Sequence, residues 1–86
     1  MKLKEWRLTQ QKTLRECAEV LGLGDARVYQ RYESGEQWPS APTVEAILDM
    51  TEKAVSVTDL HEQRVDWLKA NRPDVVFAAR IREAAE

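Results

Sequence analysis

Apolar residues recur along this chain at helical spacing and alternate almost nowhere. Leu3 and Trp6 form an i,i+3 pair on a first segment, which predicts a helix over about residues 2–10. Gln11-Lys12 breaks that segment. Leu14, Cys17, Ala18 and Leu21 then fall on one helical face. Thr13 precedes them with Glu16 three residues on, the pattern of a capping box: the threonine oxygen accepts from an unpaired amide while the glutamate reaches back. Gly22 predicts the stop, as the left-handed residue past the helix end. Leu23-Gly24-Asp25 makes the turn into a third helix over residues 26–34, with Asp25 or Gly24 as its cap and Gly35 at its end. Trp38-Pro39-Ser40-Ala41-Pro42 reads as an extended loop, since residues before proline avoid the helical region.

A fourth helix is expected over residues 41–52, capped by Ser40, with Pro42 tolerated in its first turn. Its apolar face is Val44, Ile47, Leu48 and Thr51. Ser56, with Asp59 three residues on, predicts the start of a fifth helix. That helix buries some of Val57, Leu60, Val65, Trp67 and Leu68 and ends near Asn71. Pro73 and Asp74 suit the opening of a short last helix, with Phe77, Ile81 and Ala84 or Ala85 on one face. Val55-Ser56-Val57 is too short to support a sheet. The expected fold is all-α: a compact five-helix bundle with a helix-turn-helix at helices two and three, plus a short C-terminal helix. Residues 1–71 form the bundle and 72–86 the helical extension.

The third helix carries the candidate chemistry. Each residue turns the helix by about 100°. With Tyr29 and Tyr32 inward, Arg27 lies nearly opposite, flanked by Gln30 and Arg31. With Val28 and Tyr32 inward, the same three still project. Long planar donors on a helix backed by a second helix are what major-groove readout needs: arginine pairs with guanine, glutamine with adenine, and Val28 at the edge can touch a thymine methyl.

At 86 residues the chain is expected to be one domain. Its net charge of −2 argues against indiscriminate nucleic-acid affinity. The distribution changes the picture. Residues 1–32 carry net +3, residues 33–62 net −6 and residues 63–86 net +1. A basic first third on an acidic body can orient the molecule on phosphate while limiting non-specific binding. No apolar run approaches the roughly 18 residues of a membrane span. Met1-Lys2-Leu3-Lys4-Glu5-Trp6 lacks the apolar stretch of a signal peptide. The single cysteine, Cys17, builds no disulfide framework and suits a reducing cytoplasm.

In order and spacing, three stretches together resemble the phage Cro/repressor (XRE-type) helix-turn-helix family. They are residues 16–23 (Glu-Cys-Ala-Glu-Val-Leu-Gly-Leu), residues 29–35 (Tyr-Gln-Arg-Tyr-Glu-Ser-Gly), and Pro39 with the Val44-Glu45-Ala46-Ile47 helix. The following Ala54-Val55-Ser56-Val57-Thr58-Asp59-Leu60 resembles a bacterial Cro-like subgroup. The likeness covers residues 13–60, and the chain departs from it at Leu14, where a glutamine is frequent, and at Glu36, where the loop is often basic. The resemblance implies a five-helix bundle whose third helix reads the major groove, usually as a dimer on a palindrome. It implies base readout by Arg27, Gln30 and Arg31 with Ala26 and Val28 beside them, and phosphate contacts at Lys12 and Thr13.

The expected function is therefore a cytoplasmic, sequence-specific regulator of transcription, a dimeric repressor on double-stranded DNA. The expected dimer contact comes from Trp67, Leu68, Val75, Val76, Phe77 and Ile81, more apolar surface than one small bundle covers. An antitoxin-type autoregulator that also binds a toxin, and a helical interaction module without DNA binding, are the alternatives. No enzyme, cofactor or metal is expected. His61 has no metal set around it, Cys17 falls on an apolar face, and Gly22 and Gly24 lack the flanking pattern of a phosphate loop. Trp6 is expected to staple the first helix to the core, and Trp38 to pack back on the bundle.

Overall fold

The computed structural model describes residues 1–76. Over those residues the chain is all-helical, with five helices: α1 (Leu3–Thr9), α2 (Leu14–Val20), α3 (Ala26–Ser34), α4 (Ala41–Met50) and α5 (Val57–Asn71). Residues 73–76 begin a further helical turn. Phe77 and Ile81, with the face expected around them, lie outside the described residues.

Local sequence signals place most helix ends. Thr13 caps α2 through a complete capping box: its Oγ1 accepts from the Glu16 amide at 3.1 Å, and the Thr13 amide donates to Glu16 Oε1 at 3.0 Å. Ser56 and Asp59 repeat the device on α5 at 3.1 and 2.9 Å. Asp25, not Gly24, caps α3, its Oδ1 accepting from the Arg27 amide at 2.8 Å. At the end of α2, Gly22 adopts φ 72° while its amide bonds the Glu19 carbonyl and the Leu23 amide bonds that of Ala18. Those paired bonds form a Schellman stop.

Two expectations about α4 are corrected. Ser40 is the N-cap residue but makes no capping bond; its Oγ lies 3.0 Å from Thr43 Oγ1 instead. The helix ends at Met50, short of Glu52. Glu52 and Lys53 are left-handed, at φ 52° and 66°, and their amides bond the Asp49 and Leu48 carbonyls. The chain thus closes α4 with a Schellman turn that uses a glutamate where glycine is easiest.

The core joins all five helices: Leu3 and Trp6 of α1, Cys17 and Ala18 of α2, Tyr29 of α3, Val44 and Ile47 of α4, Leu60 of α5, and Val55 from the preceding loop. Trp6 thus fastens α1, and Cys17 is a core thiol, as their positions implied. Trp38 does the opposite of what was expected. It is 42% exposed while the adjacent Pro39 turns inward. Val57, at the first turn of α5, is also exposed. No helix among the described residues is long and apolar enough to cross a membrane.

Polar groups also hold the bundle. Gln63 is buried on α5 and serves the ends of two other helices. Its Oε1 accepts from the Leu3 amide at 2.7 Å, and its Nε2 donates to the Tyr32 carbonyl at 3.1 Å and more weakly to that of Glu33. These are terminal amides and carbonyls that a helix cannot satisfy internally. Gly35 allows α5 to come this close. It has φ 86°, and a Cβ there would overlap the Gln63 backbone carbonyl.

Candidate nucleic-acid interface

α3 packs against α1, α2 and α5. Its inner face is Tyr29, Tyr32 and Glu33, all buried. This resolves the rotation of the helix in favour of paired inward tyrosines. Its outer face is Arg27, Gln30, Arg31 and Ser34, at i, i+3, i+4 and i+7, all exposed. The side chains of Arg27, Gln30 and Arg31 make no hydrogen bond or ion pair among the described residues. Val28 is half-buried at the flank. Ala26 is also half-buried but packs against the core, so it is less available than the resemblance implied.

The back of the helix is fixed by a buried ion pair. Arg7 Nε donates to Glu33 Oε2 at 2.6 Å and Nη2 to Oε1 at 3.3 Å. The two side chains are only 12% and 5% exposed. Arg7 Nη1 also donates to the Lys12 carbonyl at 3.1 Å, so the same guanidinium holds the α1–α2 turn. The hydrogen bond to Glu33 raises the Arg7 pKa against the cost of burial. Tyr29 lies beside this pair and Cys17, its hydroxyl buried without a hydrogen-bond partner among the described residues. Burial, reinforced by Glu33, raises its pKa far above the usual range, and burial raises that of Cys17 also.

The basic first third divides accordingly. Arg7 is spent internally, and Lys2 faces Glu62 and Asp66 of α5 at 3.4 and 3.6 Å. Lys4, Arg15, Arg27 and Arg31 remain toward solvent, Arg15 in a loose exposed pair with Glu19. Lys4 shares a small hollow with Gln30 and Ser34, so it extends the exposed stripe of α3. Sequence spacing gave no sign of this neighbour, which arrives from α1. Thr13, at the head of α2, is exposed. Its hydroxyl accepts the capping bond from the Glu16 amide. Lys12 is half-buried.

The far side of the stripe is bounded by α5. Arg27, Gln30, Arg31 and Ser34, together with Glu36 and Trp67, line a cleft of about 420 Å³. Arg64 braces its wall: Nη1 donates to the Gly35 and Glu36 carbonyls at 2.9 and 2.6 Å. The same guanidinium stands 5.4 Å from the centre of the Trp67 ring. Trp67, expected in a dimer contact, therefore lies beside the α3 face. Leu68 and Val76 are half-buried and Val75 is exposed. His61 is exposed, and no group of His, Cys, Asp or Glu able to hold a metal occurs among the described residues.

No family model matches the chain, and no curated protein or solved structure matches it with significance.

Proposed function

We propose that the chain is a sequence-specific, DNA-binding regulator of transcription that lays α3 in the major groove, in the manner of the Cro/repressor helix-turn-helix proteins it resembles. One observation carries the reading: Arg27, Gln30 and Arg31 form an exposed face, unengaged among the described residues, on a helix whose opposite face is locked into the core. Rigid presentation matters because base readout depends on placing a bidentate donor within hydrogen-bond reach. Lys4, Lys12 and Thr13 flank that face and supply phosphate contacts that set its register.

A single α3 spans only a few base pairs. The protein acts as a homodimeric repressor on a palindromic site, its two recognition helices about one DNA turn apart. Leu68, Val75 and Val76 belong to the two-fold contact, an isologous one. Titration of a mixed-sequence duplex against salt tests the reading. Affinity should fall linearly on a log–log plot, by about 0.9 per phosphate neutralised. Absence of binding at every salt concentration would refute it.

A further inference from the structure

The cleft between α3 and α5 contains one acid among its donors. Glu36 is exposed and forms no ion pair among the described residues, although Arg27 and Arg31 line the same cleft. Its main chain is firmly placed. Its carbonyl is held by Arg64 at 2.6 Å, its amide donates to Ser34 Oγ at 3.3 Å, and Gly35 before it is pressed on α5. The Trp67 ring, braced by the same Arg64, forms the apolar wall beside it.

We infer that Glu36 is a specificity residue, selecting cytosine at a base pair adjoining the one that Arg31 reads; this rests on the DNA-reading function proposed above. The argument is one of complementarity. Phosphates repel a carboxylate, and so do the acceptors of guanine and thymine on the major-groove edge. Two bases offer an amine there. Adenine sets its N7 lone pair beside N6, so the second carboxylate oxygen meets an acceptor. Cytosine presents N4–H₂ without that neighbour. The wall of Trp67 excludes water from one side, and a charge-assisted hydrogen bond strengthens as its surroundings dry.

Selection of bound sites from random duplexes tests this, with the full chain as parent, Glu36→Gln and Arg31→Ala. The parent should require cytosine at a position that Glu36→Gln alone releases, with affinity for the parent site falling about tenfold. Arg31→Ala should release a neighbouring position instead. If Glu36→Gln binds every duplex more tightly by one common factor, with preferences unchanged, the carboxylate only repels phosphate and the inference is wrong. A parent that selects a sequence with no position sensitive to Glu36 also overturns it, and leaves readout by α3 standing. A parent that binds no duplex overturns both.

Discussion

Arg7 of α1 and Glu33 of α3 meet in a two-pronged, nearly solvent-free ion pair, and it is this contact that fixes the back of the helix whose front is exposed. Removing one partner of such a pair leaves an uncompensated buried charge. Glu33→Ala should therefore lower stability by about 3–5 kcal/mol, read from urea unfolding. Replacing an exposed acid such as Glu45 should change it by less than about 0.5 kcal/mol. A small loss for Glu33→Ala would mean that solvent reaches Arg7 freely.

Tyr29 next to this pair behaves differently. Its ring fills the core, but its hydroxyl is buried without a partner among the described residues. An unpaired buried polar group costs about 1–3 kcal/mol. Tyr29→Phe keeps the packing and removes that cost, so it should leave the protein equally stable or raise its melting temperature. A clear drop would reveal a hydrogen bond from the hydroxyl to Glu33 or Cys17.

Two left-handed positions should respond in opposite directions to substitution. At Gly35, φ 86° and the Gln63 carbonyl leave no room for a Cβ. Gly35→Ala should cost more than about 2 kcal/mol, since left-handed strain and displacement of α5 add. At Glu52, φ 52° strains an ordinary side chain, and an acid sits at the negative end of α4. Glu52→Gly should stabilise by about 0.5–1 kcal/mol. Thermal unfolding of both variants checks the signs.

The elements legible in the sequence were those built from near neighbours. Thr13 with Glu16, Ser56 with Asp59, and Gly22 each declare a helix end within four residues, and each stands where expected. The outward face of α3 was legible for the same reason: helical periodicity alone separates Arg27 from Tyr29. What the sequence hid depends on distant partners. Nothing near Gln63 or Glu33 in sequence signals their burial, which comes from Leu3, 60 positions from Gln63, and Arg7, 26 positions from Glu33. Gly35 reads as a helix stop, not as the site where α5 touches α3. Trp38 was misjudged because hydrophobicity favours the core, yet it is the neighbouring Pro39 that occupies the inward position. Lys4 and Trp67 join the α3 face only through tertiary packing.

The capping boxes make stability depend on pH. The backbone amide of Thr13, then its hydroxyl, holds the Glu16 carboxyl below its ordinary range; the amide of Ser56, then the terminal ammonium, does the same for Asp59. A lowered folded pKa means that the unfolded chain binds the proton more readily. The stabilisation is therefore complete above the unfolded carboxylate pKa of about 4, and is lost as pH falls through the lowered values. Urea midpoints at pH 7 and pH 3 should differ, and the difference should shrink in the Glu16→Gln, Asp59→Asn double variant. An unchanged difference would place the acid sensitivity elsewhere. Thr13→Ala should itself cost about 0.5–2 kcal/mol at pH 7.

Readout by α3 is tested most directly by measuring the affinity of Arg27→Ala and Arg31→Ala for the duplex that the parent protein selects, alongside the same site with single base pairs changed. Both arginines are exposed and bond nothing within the described residues, so both variants should fold as the parent does. Each should lose about 1–3 kcal/mol of binding on the selected site, with its discrimination relaxed at one or two base pairs per half-site. Parent-like affinity in both variants, with discrimination intact, would contradict the placing of α3 in the major groove.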